Sequence, residues 1–430
     1  MSATVFAHIV ATTHCVDWPD VLIFGLTYFG LALGDIPFTR LDRSSIAILG
    51  AVAVLLFHRM DLHAAMAGVD FPTLILLISM MIISAQLRLA GFYDWVVRRI
   101  VQAAHQPWHL LAGLIIFSAL LSALFANDVI CLIFTPVLCL ALQKARRDPV
   151  PYLMALATAS NIGSASTLIG NPQNMLIGET AHLNFGGYFL TVLPLILVCL
   201  LLNYAAIAVI YHTRLFSDTE PPSASVAAHE HHHPPVMRWH LIIKSLLVMG
   251  ILLVAMLAES IIHVSRPVAA MAAAGVILVS RKTRPVDLFA LVDWNLILLF
   301  IGLFMVIADV QSHHLLAPAL RALTQAGVSL QSHLSLACVT LTLSNIVSNV
   351  PAVLLIKPAI PPAVTHAWYL LAVVSTLAGN LTLLGSIANL IVSQQAEPFA
   401  VKLRFREYLK AGVPLTLCSV TLAVLYFKMI

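Results

Sequence analysis

Long apolar segments recur along this chain of 430 residues, and they constrain its fold more than any other feature. A helix that crosses the hydrocarbon core of a bilayer needs about 20 predominantly apolar residues. Because 60% of the residues are hydrophobic and only 10% are charged, a water-soluble fold is excluded. The sequence therefore predicts an all-α polytopic membrane protein. The predicted spans are 20–34, 44–57, 72–90, 150–178, 187–213, 240–262, 266–281, 293–310, 366–394 and 410–428.

Two further apolar segments, 108–143 and 328–357, carry polar residues near their middles. Asn127-Asp128 interrupts the first segment, and Ser348-Asn349 interrupts the second. Non-helical backbone is tolerated at membrane depth only where protein or a water-filled cavity shields it from lipid. We therefore predict two re-entrant hairpins that bend at these residues.

The distribution of Lys and Arg predicts the orientation. If both hairpins return to the side from which they enter, 17 of the 23 basic residues fall on one side and 5 on the other, with Lys244 inside a span. By the positive-inside rule, the side with 17 basic residues is cytoplasmic. The protein is therefore predicted to lie in the cell inner membrane with both termini on the outer side. Residues 91–105 are predicted to form an amphipathic helix on the cytoplasmic surface.

The two halves of the chain match each other at an offset near 223 residues. Five spans and one hairpin fall in each half, and because five is odd the second copy is predicted to be inverted relative to the first. The predicted division is an outer segment 1–19, a first inverted repeat 20–213, a cytoplasmic His/Pro-rich linker 214–239 and a second inverted repeat 240–430. The matching positions are Asp70-Phe71 with Asp293-Trp294, Arg43 with Arg266, Asn127 with Asn349, and Thr167-Leu-Ile-Gly170 with Thr382-Leu-Leu-Gly385.

Inverted repeats with interrupted helices are typical of secondary transporters, whose site lies near the midplane between the copies. A channel or a structural membrane protein is the alternative. An enzyme is not predicted, since HExxH, GxSxG and Walker-type motifs are absent from the sequence, and so neither catalytic residues nor a cofactor is expected. The six cysteines lack metal-ligand spacing, so no metal site is predicted, and the weak net charge of +4 excludes nucleic acid as a partner.

Eight of the eleven asparagines fall in four patches, one at each hairpin bend and one within each of the spans 150–178 and 366–394. Unpaired amides are costly to bury, and glycine and proline nearby favour unwound helix, so these patches predict a binding site. The candidate substrate or ion ligands are Asn127, Asp128, Asn161, Gly163, Ser164, Ser166, Thr167, Gly170, Asn171, Asn174, Ser348, Asn349, Asn380, Thr382, Gly385, Ser386 and Asn389.

Asp128 is the single acidic residue at the two hairpin bends, and Val350, the corresponding residue of the second half, is apolar. An intramembrane carboxylate is a functional candidate, so Asp128 is predicted to handle the coupling proton; capping of the second hairpin helix is the alternative. Asp309 is the next candidate for titration. The predicted core lacks Arg, which favours a neutral or cation-neutralised substrate. The linker residues His229, His231, His232 and His233 suggest metal binding or, more simply, a solvated connector.

Four motifs resemble the ArsB/NhaD-type permeases of the ion transporter superfamily, which are relatives of the divalent anion/sodium symporters. The motifs are F-A-N-D-x6-T-P from Phe125, G-N-P-Q-N from Gly170, S-N-V-P from Ser348 and L-T-L-L-G-S-I-A-N-L-I-V from Leu381. The resemblance extends from about residue 20 to residue 428. It implies that the hairpin tips and unwound helices form the site, and that transport follows an elevator-like alternating-access mechanism.

Family members include arsenite/antimonite efflux carriers, sodium/proton antiporters and carboxylate symporters. The expected function is therefore proton-coupled efflux of arsenite or antimonite. The alternatives are a sodium-coupled carrier of an organic or inorganic anion and a sodium/proton antiporter. The expected partners are a small inorganic or anionic solute, a coupling proton or sodium ion, and the lipid bilayer; a homodimer or an associated ATPase subunit stays an open alternative.

Overall fold

The structure is a computed structural model that describes residues 18–33, 41–57, 60–103, 106–216, 237–318, 321, 325, 329–361 and 363–430. The predicted outer segment before residue 18 and the four linker histidines lie outside the described residues. Throughout the described part the secondary structure is helical and contains no strand, which confirms the all-α prediction.

The first half of the chain contributes eleven described α-helices. They are α1 (Trp18–Leu33), α2 (Arg43–Leu56), α3 (Leu62–Ala67), α4 (Phe71–Leu89), α5 (Phe92–Ala103), α6 (Pro107–Leu124), α7 (Asn127–Lys144), α8 (Pro149–Ser164), α9 (Pro172–Thr180), α10 (Phe185–Ile210) and α11 (His212–Phe216).

The second half continues with ten α-helices whose bounds are described, and short 3-10 turns interrupt its later part. The α-helices are α12 (Trp239–Leu257), α13 (Glu259–Ile262), α14 (Arg266–Leu278), α15 (Pro285–Phe289), α16 (Trp294–Ser312), α17 (His333–Val347), α18 (Asn349–Ile356), α19 (Thr365–Leu377), α20 (Ile387–Ala396) and α21 (Phe405–Met429). The turns are Lys357–Ala359, Ala378–Asn380, Leu383–Gly385 and Glu397–Phe399.

Seven of the described helices are long and apolar enough to cross a membrane: α4, α6, α7, α10, α12, α16 and α21. Five of them coincide with predicted spans, and α6 and α7 are the two arms of the first hairpin. The predicted spans 150–178 and 366–394 are each broken into two helices, α8 with α9 and α19 with α20. The chain is a multi-pass membrane protein.

The bends of the hairpins differ slightly from the prediction. Helix α6 ends at Leu124 and α7 begins at Asn127, so the first bend is Phe125-Ala126 rather than Asn127-Asp128. Asn127 therefore lies in the first turn of a helix, where its backbone N–H needs no intrahelical partner. The second hairpin bends at Ser348, as predicted, and Asn349 begins α18.

Helices begin at corresponding residues in the two halves. Helices α2 and α14 begin at Arg43 and Arg266, and α7 and α18 begin at Asn127 and Asn349. Helices α4 and α16 likewise begin directly after Asp70 and Asp293. The order of elements thus repeats along the chain, whereas the inverted orientation and the boundaries 20–213 and 240–430 stay predictions.

The chain forms two compact units, and each unit draws on both halves. One unit comprises Met1–Asp70 with Trp294–Ser329, and its main described contact is α16 on α2. A Cβ on Gly302 would lie 2.5 Å from the backbone carbon of Ala47, so this pair of helices packs backbone to backbone. The other unit comprises Phe71–Asp293 with Leu330–Ile430, and it holds both hairpins and both broken helices.

Charged side chains within the second unit have defined partners. Lys244, which the sequence leaves inside a span, donates to the carbonyls of Ile277 at 3.2 Å and Val279 at 2.7 Å, at the C-terminal end of α14. Arg266, at the start of α14, is only 4% exposed. Its Nε lies 3.1 Å from Glu179 and 3.5 Å from Glu259, so the buried guanidinium is compensated.

Helix α5 matches the predicted amphipathic helix 91–105. Tyr93 and Val97 are fully buried against the protein, whereas Arg98 and Arg99 are exposed. The Tyr93 hydroxyl is 2.8 Å from Ser84 of α4, which holds this face of α5 against the neighbouring helix.

Candidate solute and ion site

The amide of Asn161 lies at the centre of the predicted site. Its Oδ1 accepts hydrogen bonds from Asn127 Nδ2 at 2.9 Å and from Ser386 Oγ at 3.1 Å. Its Nδ2 donates to Asn380 Oδ1 at 2.8 Å and to Asn389 Oδ1 at 3.1 Å. These five residues, here called the amide cluster, join the first hairpin to both broken helices, and all five were predicted from the sequence.

Two helix N-termini converge on the amide cluster. Asn127 is the first residue of α7, and Ser386 is the N-cap of α20, where its Oγ accepts from Ala388 N–H at 3.3 Å. Helix N-termini carry unsatisfied N–H groups and a partial positive charge. The cluster therefore presents donors and a positive field to an oxygen-rich solute without using a cationic side chain.

A second polar group forms where α8 breaks into α9. Asn171 caps α9, its Oδ1 accepting from Asn174 N–H at 2.9 Å, and its Nδ2 donates to Ser164 Oγ at 3.0 Å. Asn174 Nδ2 donates to the Thr167 carbonyl at 3.0 Å, and Thr167 Oγ1 donates to the Ala123 carbonyl at 2.5 Å. These bonds join the residues on either side of the break and tie the break to α6, so the predicted residues Ser164, Thr167, Asn171 and Asn174 hold it in place.

The break between α19 and α20 has its own bonds. Asn389 Nδ2 donates to the Gly379 carbonyl at 2.7 Å and to the Thr382 carbonyl at 3.1 Å. Thr382 Oγ1 donates to Asn345 Oδ1 at 3.2 Å, and Asn345 Nδ2 donates to the Ala378 carbonyl at 3.0 Å. Asn345 belongs to α17, so the second hairpin is tied to the second broken helix.

The predicted glycines act mainly through packing. Gly163 lies inside α8 rather than in unwound backbone, and a Cβ there would fall 2.3 Å from Ala119 Cα of α6. At Gly170 an added Cβ would lie 2.3 Å from the Ser164 carbonyl oxygen, and at Gly385 it would lie 2.7 Å from Asn345 Oδ1. The nearby Ser166 hydroxyl donates to the Gly163 carbonyl at 2.7 Å. These four residues shape the site rather than presenting side chains to a solute.

The bend of the second hairpin carries backbone strain. Ser348 has φ 75° and ψ 163°, a region that residues other than glycine rarely adopt. Asn349 follows, and its Nδ2 would be 3.3 Å from a Cβ on Gly379. Within the described residues the buried Asn349 Oδ1 has no hydrogen-bond partner. This bend therefore offers one unsatisfied acceptor beside the second broken helix.

Asp128 follows Asn127 in the first turn of α7 and is half-buried. The N-cap of α7 is Ala126 and no side chain caps this helix, so Asp128 does not act as the capping residue. Among the described residues its carboxylate makes neither a hydrogen bond nor an ion pair, and Asp293 is close enough to act on it electrostatically. A carboxylate at a helix N-terminus beside the amide cluster can bind a proton or a small cation.

Several residues of the site were not predicted. Thr376 Oγ1 accepts from Asn171 Nδ2 at 3.1 Å, and the Tyr188 hydroxyl donates to the Ala165 carbonyl at 2.7 Å. Thr158 Oγ1 donates to Asn203 Oδ1 at 2.8 Å, and its carbonyl accepts from Asn380 Nδ2 at 3.2 Å. Thr158, Tyr188 and Thr376 are single polar residues in apolar helices, a pattern too common to signal a site. Asn203 is a buried amide, a signal that could have been used.

The chemistry of the amide cluster is neutral. In the described structure the side-chain hydrogen bonds of Asn127, Asn161, Asn380 and Asn389 run to amide, hydroxyl or backbone groups. Such a cluster offers N–H donors and C=O acceptors at fixed positions. It can therefore recognise a small hydroxylated solute, with one carboxylate, Asp128, beside it.

Comparison with known proteins decides the family. The family model described as "Citrate transporter" (CitMHS) matches residues 35–378. These residues include both hairpins and the two asparagine patches of the first half, at Asn127 and at Asn161–Asn174. The chain belongs to the citrate transporter family. Members of this family are transporters and not enzymes, in agreement with the sequence prediction.

Similar proteins cover nearly the whole chain. A "46 kDa membrane protein" of Mycobacterium leprae is 29% identical over 94% of this chain and 97% of its own length. The "Silicon efflux transporter LSI3" of rice, Oryza sativa subsp. japonica, is 29% identical over 93% of this chain and 95% of its own length. The "Putative transporter arsB" of Dictyostelium discoideum is 22% identical over 95% of this chain and 91% of its own length. This member of the citrate transporter family is thus similar over nearly its whole length to a membrane protein and to two proteins named as transporters.

A solved structure shows the same fold. The YdaH transporter of Alcanivorax borkumensis, whose topology is described as unusual, matches with a TM-score of 0.55 at 14% sequence identity. The match covers 96% of each chain. The likeness shows that the fold of this citrate transporter family member is shared over 96% of each chain.

Proposed function

We propose that this protein is a secondary active transporter that exports small uncharged hydroxides, arsenite and antimonite first among them, in exchange for protons. The observation that carries the proposal is the amide cluster around Asn161, a buried set of neutral donors and acceptors with a carboxylate beside it. Export would proceed across a cell inner membrane by elevator-like alternating access.

The neutrality of the cluster favours an uncharged solute. Trivalent arsenic and antimony are present in neutral water as uncharged hydroxides, which both donate and accept hydrogen bonds. Side-chain amides and hydroxyls can exchange their mutual hydrogen bonds for bonds to such a solute at little electrostatic cost. A multiply charged anion would need compensating charge at the same place, because an uncompensated charge in a low-dielectric interior is costly.

Two relatives support the same chemical class. One is named for silicon efflux and the other is named arsB. Silicic acid and arsenous acid are both small neutral hydroxides, so one set of hydrogen-bonding groups suits both. We include silicic acid among the solutes to be tested.

Asp128 supplies the proposed coupling step. When the carboxyl is protonated, the first turn of α7 carries no negative charge beside Asn127; when it releases the proton, a negative charge returns beside the cluster. That negative charge interacts with the N–H donors and C=O acceptors of the amide cluster. Binding of the proton therefore changes the affinity for the solute, and binding of the solute changes the affinity for the proton. One such group is sufficient for exchange of one proton for one uncharged solute.

A sodium-coupled carrier of a citrate-like carboxylate is the second candidate. The family description favours it, since the matching model is that of citrate transporters. In this case sodium ions bound by carbonyl and amide oxygens would neutralise part of the anion. The unsatisfied Asn349 Oδ1 is an oxygen available for that role.

Uptake by everted membrane vesicles separates the two candidates. Vesicles with and without the protein are given arsenite, antimonite, silicic acid or citrate under an imposed proton gradient or an imposed sodium gradient. We expect accumulation of at least one uncharged hydroxide that follows the proton gradient. Uptake of citrate that follows sodium, with no response of any hydroxide to the proton gradient, would contradict the proposal.

A further inference from the structure

Two tryptophans and three arginines meet where α5 lies beside the start of α12. Trp95, Arg98 and Arg99 belong to α5, Arg238 is the N-cap of α12, and Trp239 is the first residue of that helix. The rings of Trp95 and Trp239 pack edge to face, with their centroids 5.6 Å apart. We propose that these five residues, here called the Trp/Arg patch, bind the headgroup of an anionic phospholipid.

The arginines of α5 share a face with Trp95. Arg98 and Arg99 follow Trp95 by three and four residues, a spacing at which side chains on a helix are neighbours. The guanidinium carbon of Arg99 lies 5.8 Å from the centre of the Trp95 ring, which is within the range of a cation–π contact. Both arginines are exposed, and each guanidinium carries five N–H donors that suit the oxygens of a phosphate group.

Neighbouring helices hold the two parts of the patch together. Tyr93 of α5 is fully buried, with its hydroxyl 2.8 Å from Ser84 of α4 and its ring 5.9 Å from the ring of Phe125 at the first hairpin bend. The Arg238 N–H donates to the Ala90 carbonyl at 3.2 Å, which ties the start of α12 to the turn between α4 and α5. The basic face of α5 and the start of α12 therefore keep a fixed arrangement.

The position of Trp239 places the patch at the level of lipid headgroups. Helix α12 is long and apolar enough to cross a membrane, and Trp239, its first residue, is 51% exposed. Tryptophan is enriched where a span enters the headgroup region, because its ring is apolar and its N–H is polar. Lipid offers an apolar surface to the tryptophans and a phosphate to the arginines, whereas a soluble anion uses the arginines alone. This combination favours a phospholipid over a soluble phosphate.

The charge of the patch favours an anionic lipid over a zwitterionic one. Neither segment 95–103 nor segment 237–257 contains an Asp or Glu. Asp94, the acid that precedes Trp95, interacts electrostatically with Arg88 of α4. Basic residues beside a membrane attract anionic lipids, and the predicted topology places this patch at the cytoplasmic leaflet. Phosphatidylglycerol, with one net negative charge, is the probe with which the proposal is tested.

Native mass spectrometry of the full-length protein in detergent measures the binding of individual lipids. Phosphatidylglycerol and phosphatidylcholine with identical acyl chains are titrated separately, and the affinity for the first bound lipid is obtained from the populations with and without lipid. The two lipids differ in headgroup alone, so the ratio of their affinities reports on headgroup recognition. A further sample contains phosphatidylglycerol with an excess of glycerol phosphate, which supplies the phosphate without the acyl chains.

We expect the parent protein to prefer phosphatidylglycerol, and glycerol phosphate to leave it bound. Arg98→Gln combined with Arg99→Gln should weaken binding of phosphatidylglycerol by about fivefold for each arginine removed and leave binding of phosphatidylcholine unchanged. Arg404→Gln combined with Arg406→Gln is the matched control, because it removes two exposed arginines at the start of α21, and it should keep the preference of the parent. Size-exclusion profiles check folding, and Arg238→Gln replaces the double variant if that variant does not fold.

Three outcomes would overturn the proposal. Equal affinity of the parent protein for the two lipids would show that the headgroup is not recognised. Equal affinity for phosphatidylglycerol in the parent protein and the Arg98/Arg99 variant, or an equal loss in the control, would mean that the patch is not the site. Displacement of phosphatidylglycerol by glycerol phosphate would assign the patch to a soluble phosphate. None of these measurements involves transport, so the test is independent of the proposed function.

Discussion

Asn161 has every hydrogen-bonding position of its side chain occupied. Its oxygen accepts two bonds, from Asn127 and Ser386, and its nitrogen donates two, to Asn380 and Asn389. A side-chain amide has two acceptor positions and two N–H donors, so this is the complete set. The first hairpin and both broken helices are therefore held in register by one residue.

Replacement of that residue has a defined cost. Asn161→Ala removes one hydrogen bond from each of four buried polar partners, so we expect a loss of about 1–3 kcal/mol in stability and a fall of roughly tenfold or more in apparent solute affinity. Thermal unfolding in detergent and concentration-dependent vesicle uptake measure the two effects. Gln86→Ala is the matched control, because it removes a buried amide bond to Ser245 that lies outside the site. A similar loss of affinity in the control would contradict the assigned role of Asn161.

The sequence predicts the members of the site better than their roles. Clustering of amides in apolar sequence identifies Asn127, Asn161, Asn380 and Asn389, because a buried amide must find a partner. It does not reveal which amides bond to each other, since that depends on how four separate segments pack. Thr376 could not be predicted at all, because a threonine in an apolar helix usually bonds to its own backbone, as Thr376 does to the Ala372 carbonyl at 2.9 Å.

At the level of helices, close packing explains glycines that sequence reasoning assigns to unwound backbone. Gly163 lies within α8 and faces the backbone of α6. The interruption itself is predicted from Pro172 and from the cluster of polar residues, whereas the exact helix ends depend on capping bonds, such as that from Asn174 N–H to Asn171 Oδ1. The first hairpin bend falls two residues before the predicted one, because Asn127 and Asp128 belong to the first turn of α7.

Gly163→Ala is expected to separate α6 from α8. The added Cβ would lie 2.3 Å from Ala119 Cα, and backbone atoms cannot move aside as a flexible side chain can. We expect a destabilisation of about 1–3 kcal/mol, measured by thermal unfolding, with reduced transport.

Gly275→Ala is the control for that change. An added Cβ at this helical position meets no atom within 4 Å, so alanine should be neutral or should stabilise α14 by up to about 1 kcal/mol. Equal stability of the two alanine variants would refute close packing as the role of Gly163.

Asp42 caps the N-terminus of α2, and its contribution to stability depends on pH. Asp42 Oδ1 accepts from Ser45 N–H at 2.8 Å, and hydrogen bonds from Ser45 lower the pKa of Asp42 below its ordinary value. A lowered pKa in the folded state means that this carboxylate stabilises the protein above its unfolded pKa, and that the contribution is lost as the pH falls through the folded pKa.

Substitution of Asp42 tests both aspects of the cap. Asp42→Ala should cost about 1 kcal/mol at neutral pH, whereas Asp42→Asn should retain most of the stability because the amide oxygen can still accept the bond. Thermal unfolding followed between neutral and acidic pH should show a smaller acid-induced loss in both variants than in the parent. An unchanged acid profile in Asp42→Ala would assign the pH dependence to other groups.

For the whole molecule, the repeated order of helices favours the predicted inversion. The prediction places the loop at Lys282 in the cytoplasm and the turn at His263 outside, and both residues are exposed. In a background without the six native cysteines, a cysteine at position 263 should react with a membrane-impermeant thiol reagent in intact cells. A cysteine at position 282 should react only after the membrane is opened. The reverse labelling pattern would overturn the orientation and the outward termini.

For the whole molecule, we propose that Asp128 is the proton site of a carrier for uncharged hydroxides. The most direct test is simultaneous measurement of arsenite flux and proton flux in liposomes that contain either the parent protein or the nearly isosteric Asp128→Asn variant. We predict that the parent protein moves protons against arsenite. The variant should fold normally, as judged by thermal unfolding, and should lose proton movement and the response of arsenite flux to pH. An unchanged proton flux in Asp128→Asn, or arsenite flux in neither protein, would contradict the central claim.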